Sequence, residues 1–178
     1  MEIFNVGFLG STAEADSVLT TEFYNQGVGA GSLDLYADIP RLGVKAVVGN
    51  GTGYMNKIIV HLRKVGTHDP ANQVFARVRK ISDDSIMAQA ILTTGDLTGG
   101  ATKQNYEFDF GSCIEITAAE QYVLIEYYDG DASNYLGLTR KTATVTGWEW
   151  TSYDGSSYTT NSGQSMTGTF SSETGFSC

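Results

Sequence analysis

Between residues 54 and 81 the chain alternates apolar and polar side chains with a period of two, as a half-buried strand does. Ile58, Val60 and Leu62 fall on one face and Lys57, His61 and Arg63 on the other, with Ile59 the one interruption. After the loop at residues 66–72 the alternation resumes, with Val74, Ala76 and Val78 on one face and Phe75, Arg77 and Arg79 on the other. The spacing predicts a hairpin at the centre of an antiparallel sheet. Further strands are expected over residues 44–48, 86–92, 106–110, 114–116, 121–128, 135–138, 144–151 and 165–170. Tyr106, Phe108 and Phe110 alternate with Glu107 and Asp109, which predicts one buried aromatic face. The stretch 121–128 is apolar on nearly both faces and is expected to be a central strand, covered on each side. Eight to ten strands with turn signals between them make the predicted fold all-β, an antiparallel two-sheet β-sandwich of jelly-roll type.

Residues 1–42 read differently. Two apolar stretches, 2–9 and 33–37, are separated by small polar residues and by Gly27, Gly29 and Gly31, whose spacing is not that of a dinucleotide loop. This segment is expected to be an N-terminal arm or the first strands, followed by the sandwich over 43–178. Ile3, Phe4, Val6 and Phe8 give the arm the apolar character to add a strand to a neighbouring subunit.

The succession KIIVHLRKVG, then NQVFARVRK, then YEFDFGSCIEITAAEQYVLIEYYDGDASNYLGL resembles the galactose-binding-like jelly-roll modules of secreted, cell-surface and viral structural proteins. The resemblance spans roughly residues 43–170 and rests on a strand pattern rather than on invariant chemistry. It implies a module that binds sugars, holds proteins on surfaces or serves as a structural part.

Composition narrows the functional classes. A 178-residue chain of this kind forms one domain with a sizeable core. Twenty acidic against eleven basic residues give a net charge of -9, which argues against nucleic acid as a partner. No apolar stretch approaches the length that spans a bilayer, and the opening residues lack the features of a secretory signal. Cys113 and Cys178 are the only thiols, and the pattern leaves open whether they are bridged.

Catalytic chemistry is sparse. His61 is assigned to an outward strand face and His68 to a loop, both read as solvated, and no nucleophile motif accompanies either. The chain is therefore read as non-enzymatic. Asp129, Asp131 and Asn134 place three hard oxygen ligands within six residues around Gly130, a set that points to Ca²⁺; an ordinary Asp/Gly turn is the competing reading. Trp148, Trp150, Tyr153 and Tyr158 form an aromatic group suited to stacking on sugar rings, with Asp154, Asn161 and Gln164 as partners for hydroxyls. Burial of the two tryptophans in the core is the competing reading there.

Two functions follow from these readings. The first is a structural subunit of a virion or extracellular filament that associates with copies of itself or with other structural proteins. It uses the N-terminal segment and sets the basic residues Lys57, Arg63, Arg77 and Arg79 against acidic faces such as Glu107 and Asp109 of a neighbour. The second is a carbohydrate-binding module for attachment to surface glycans.

Overall fold

The structure is a computed structural model that describes residues 20–26, 31–47, 53–143 and 145–173. Among these residues every regular element is a strand. In chain order they are β1 (Thr20–Gln26), β2 (Gly31–Leu35), β3 (Arg41–Ala46), β4 (Gly53–Val65), β5 (Gln73–Lys80), β6 (Ile86–Thr93) and β7 (Gly100–Ile116). They continue with β8 (Gln121–Glu126), β9 (Tyr135–Lys141), β10 (Trp148–Tyr153), β11 (Tyr158–Asn161), β12 (Ser165–Met166) and β13 (Gly168–Glu173). Two antiparallel sheets result, as the alternation predicts. One is seven-stranded in the order β1-β13-β4-β9-β12, with β2 on β9 and β7 on β4. The other is six-stranded, β11-β10-β3-β8-β5-β6.

The inner faces are those read from the period-two pattern. Ile58, Val60 and Leu62 of β4, Val74, Ala76 and Val78 of β5 and Phe108 of β7 are buried in one core, with Phe110 packed half-buried against it. Each large apolar side chain removed from water in this way contributes about 1.5–3 kcal/mol before the entropy of ordering it is subtracted. Strand β8 is buried along its whole length and lies inside the six-stranded sheet between β3 and β5. Gly43 of β3 is required by that packing, because a Cβ there would run into the Val123 carbonyl and the Leu124 Cα.

The central hairpin does not form. Strands β4 and β5 belong to different sheets: β4 pairs with β13, β7 and β9, whereas β5 pairs with β6 and β8. Residues 66–72 carry the chain across the sandwich. Alternation fixes which face of a strand is inward, and two facing sheets satisfy it as well as one sheet does. His68 helps hold this crossing. Its Nδ1 lies 2.6 Å from the Tyr127 hydroxyl and its Nε2 2.8 Å from the Val65 carbonyl, so it is a half-buried strut, not a solvated loop histidine. His61 is also partly enclosed, and desolvation, followed by the charge of Lys103, holds its pKa below the ordinary value.

Residues 106–110 and 114–116 form one strand, β7, with Gly111 at φ 66° inside it. The described part of residues 1–42 is built into both sheets: β1 pairs with β13, β2 pairs with β9, and β3 runs through the 42/43 boundary. Ile3, Phe4, Val6 and Phe8 lie outside the described residues, as does Cys178, while Cys113 is disulfide-bonded.

Candidate functional site

Among the described residues, the outward face of the six-stranded sheet gathers a dense group of charged and aromatic side chains. The strand register aligns Tyr158, Tyr153, Arg41, Glu126, Phe75 and Ile91 as one row running across all six strands. Glu126 sits at its centre with no exposed side-chain surface. Arg79 bonds it through Nε at 2.5 Å and Nη2 at 3.1 Å, Arg77 through Nη1 at 2.6 Å, and the Tyr128 hydroxyl donates at 2.7 Å. Arg41 Nε stands 3.8 Å from the same carboxylate. Burial alone would raise the Glu126 pKa, but the bonds from Arg79, Tyr128 and Arg77 outweigh it and hold the carboxyl below its ordinary range.

Arg41 links this centre to an aromatic flank. Its guanidinium lies 4.3 Å from the centroid of the Tyr153 ring and donates to the Tyr158 hydroxyl at 2.8 Å and to Asp84 at 2.6 Å. Tyr158 in turn donates to Asp84 at 2.7 Å and stacks on Tyr122 with centroids 4.3 Å apart. Asp84 has φ 59° in the turn between β5 and β6, a conformation that Asp tolerates better than most residues; its contacts with Arg41 and Tyr158 pin that turn. Desolvation opposes ionisation of Asp84, and the bonds from Tyr158 and Arg41 overcome it, so its pKa is lowered. Tyr158 is raised well above the ordinary phenol range, by burial first and then by Asp84. On the other flank Arg77 lies 3.8 Å over the Phe75 ring, and Tyr128 meets Phe75 edge to face while remaining 40% exposed.

The four aromatics expected to stack on sugars are divided by the sheet. Trp148 and Trp150 point into the core, 2% and 3% exposed, with Trp148 against Phe170; they offer no open ring, which corrects the four-residue grouping. Tyr153 is an odd number of residues further along β10 and therefore points outward, where it joins Tyr158 in the platform. The polar groups expected beside them are engaged locally. Asp154 accepts the Ser156 and Ser157 amides, which with the Ser156 hydroxyl hold its pKa at about 2; Asn161 accepts from Gly163 and Gln164 from Arg140.

In the loop at 129–134, Asp131 Oδ1 accepts the amides of Ser133 and Asn134, and both carboxylate oxygens accept from the Asn134 side chain. Asn134 Oδ1 is held by the Thr67 amide at 2.8 Å. Two of the three residues expected to bind Ca²⁺, Asp131 and Asn134, thus close an Asx turn over residues 131–134, which Asp129 and Gly130 precede in the chain. Among the described residues no group of three or more His, Cys, Asp or Glu converges to hold a metal.

The basic residues expected to meet a neighbour are paired within the chain: Lys57 with Glu107 at 3.7 Å, Arg63 with Asp34 at 3.5 Å, and Arg77 and Arg79 with Glu126. The sequence reading missed Arg41, Asp84, Glu126 and Tyr128 as members of one site. The available signal was Glu126 itself, a lone acid in a strand apolar on both faces, since such a carboxylate requires cationic partners.

A second feature is the edge strand β6. Among the described residues it pairs with β5 alone, and its sequence IMAQAILT contains no charge and no proline. Ile86, Met87 and Ile91 are 45%, 41% and 44% exposed and account for three of the five exposed large apolar residues of the described chain. Strand β7, at an edge of the other sheet, instead carries Lys103, Glu107, Asp109 and Glu115. A cleft of about 460 Å³ opens beside Met87, lined also by Ile81, Ala119 and Glu120. No protein-family model and no curated protein matches this sequence.

Proposed function

We propose that this chain is a non-enzymatic structural subunit that self-associates within a virion or an extracellular assembly. The observation that carries the reading is β6. Among the described residues this eight-residue edge pairs only with β5 and carries neither charge nor proline; β7 residues 112–115 and a β-bulge at Met87 mark one end of it, and the rest is the kind of strand that soluble proteins avoid leaving exposed, because its N–H and C=O groups template pairing with another chain. The opposite edge strand of the same sheet, β11, has four residues, and β7 is blunted by charge. The platform supports the same reading from another side: Glu126 and its arginines are saturated by one another, a use of ionisable groups that braces a sheet face. The sequence over residues 43–170 also resembles galactose-binding-like jelly-roll modules, some of which serve as structural parts.

The test is sedimentation velocity over a wide concentration range. Concentration-dependent growth from monomer to dimer or larger species is expected; a chain that stays monomeric at the highest concentrations overturns the proposal.

Attachment to glycans is the second reading, favoured by Tyr128, whose exposed ring lies beside Phe75 with Arg41 within hydrogen-bonding reach of its hydroxyl at 3.0 Å. Glycan-array binding that Tyr128→Phe retains and Tyr128→Ala loses would favour it over assembly.

A further inference from the structure

We propose that the partner of β6 is β6 of a second copy, paired antiparallel about a two-fold axis through Gln89, which joins two six-stranded sheets edge to edge. The inference rests on the reading that the chain self-associates and adds which strand does so and in which register.

The backbone limits the register first. The Thr94 amide donates to the Asn72 carbonyl at 2.8 Å, on the β5 side. In an antiparallel ladder the direction alternates, so the N–H and C=O groups of Thr93, Ile91 and Gln89 turn to the open side. The Thr93 amide is already taken by the Asp96 carboxylate at 2.7 Å, and the Thr93 hydroxyl donates to the same oxygen at 2.8 Å. The edge is therefore closed at Thr93; the groups of Gln89 and Ile91 turn to the open side, and Met87, which pairs with no residue of β5, sits next to them in a β-bulge between the Ala88–Val78 and Ile86–Arg79 pairs.

The side chains limit it further. Residues 87–91 read Met-Ala-Gln-Ala-Ile, which is large apolar, small, amide, small, large apolar in either direction. An isologous interface must match itself under rotation, and this stretch does so about Gln89. With the axis there, Gln89 faces Gln89 of the second copy, and the bulge brings each Met87 to the side of an Ile91, two contacts between side chains that are more than 40% exposed in the single chain. Gln89 is oriented for this pairing because Arg77 Nε donates to its Oε1 at 3.1 Å, leaving the amide NH₂ to donate across the axis. Moving the axis to Ala90 would set Ile91 against Gln89 and Met87 against the capped Thr93.

Charge favours the same contact. Two copies each carrying -9 repel over most of their surfaces, and β6 offers a line of approach without a charged side chain. One strand edge buries less than the about 1,200 Å² of a standard stable interface, so a dimer that dissociates on dilution is expected.

The experiment combines sedimentation equilibrium with cysteine cross-linking, each variant checked for the parent's circular dichroism. Met87→Lys and, independently, Ile91→Lys are expected to raise the dimer dissociation constant at least tenfold, and Met87→Lys combined with Ile91→Glu to recover it, because the register brings the two positions together. Gln89→Cys places two sulfurs across the axis at a spacing a disulfide accepts and is expected to give a covalent dimer under oxidation, whereas Ile91→Cys is not. A parent that never self-associates sinks both this inference and the function above. Self-association that survives both lysine variants, or that is lost only on deletion of residues 1–9, leaves the function standing and overturns the β6 pairing. A covalent dimer from Ile91→Cys but not from Gln89→Cys overturns the register.

Discussion

Removing the charge of Glu126 tests the platform most directly. In Glu126→Gln the side-chain shape is kept, but Arg77 and Arg79, with side chains 13% and 8% exposed, lose the carboxylate that neutralises them, and Arg41 loses its nearest charge beyond Asp84. Breaking a buried ion pair from one side costs about 3–5 kcal/mol, and because these arginines reach the surface the lower end applies, about 3 kcal/mol. For a domain of this size each kcal/mol shifts the melting temperature by about 2–4 °C, so thermal unfolding at pH 7 should fall by about 6–12 °C. The pH dependence adds a sharper criterion. The Glu126 pKa is lowered on folding, so its contribution is fully present above the ordinary value of 4.5 and is lost as pH falls through the folded-state value. The difference between parent and Glu126→Gln should therefore narrow below pH 4.5 and close once the parent's carboxyl is protonated, even though other carboxylates destabilise both proteins in acid. A difference below about 1 kcal/mol at pH 7, or one that stays constant down to acid unfolding, would refute the reasoning.

Val60, fully buried between Tyr106 and Gly168 in its ladder, should not tolerate Val60→Asp, and loss of the folded circular dichroism spectrum is expected. Arg63→Ser, on the opposite face with a 3.5 Å contact to Asp34, should cost about 1 kcal/mol or less; equal tolerance at the two sites would reject the strand register. Asp131→Ala should lower the melting temperature with or without Ca²⁺, because it removes the acceptor that closes the 129–134 turn. If Ca²⁺ raises the melting temperature of the chelator-treated parent and Asp131→Ala loses that rise, the ion belongs to the site; no rise in the parent ends the calcium reading.

How much of this was legible differs from element to element. Ile58, Val60, Leu62, Val74 and Val78 were assigned to the core from alternation alone, because a strand's side-chain period is a local property of the backbone. Strand β8 was recognised as central for the same reason: apolar residues on both of its faces require cover on both. Trp148 and Trp150 followed the same rule inward, and the alternation that buried them turned Tyr153 out.

What alternation does not contain is the identity of a strand's neighbour. The adjacent strands β4 and β5 look like a hairpin in the sequence and stand in opposite sheets in the structure, since facing sheets bury the same inner residues. The platform depends on that nonlocal choice. Arg41, Glu126 and Phe75 lie on three strands separated by up to 85 positions and meet because β3, β8 and β5 are neighbours in that order. The charges of Arg77 and Arg79, available for an intermolecular contact when only the sequence is considered, are consumed by Glu126 for the same reason. The sequence by itself determined the all-β class and which side chains turn inward, since both follow from backbone geometry repeated every two residues. Tertiary structure alone decided which strands pair, which charges are neutralised and which edge is left open, because those outcomes depend on contacts between segments far apart in the chain.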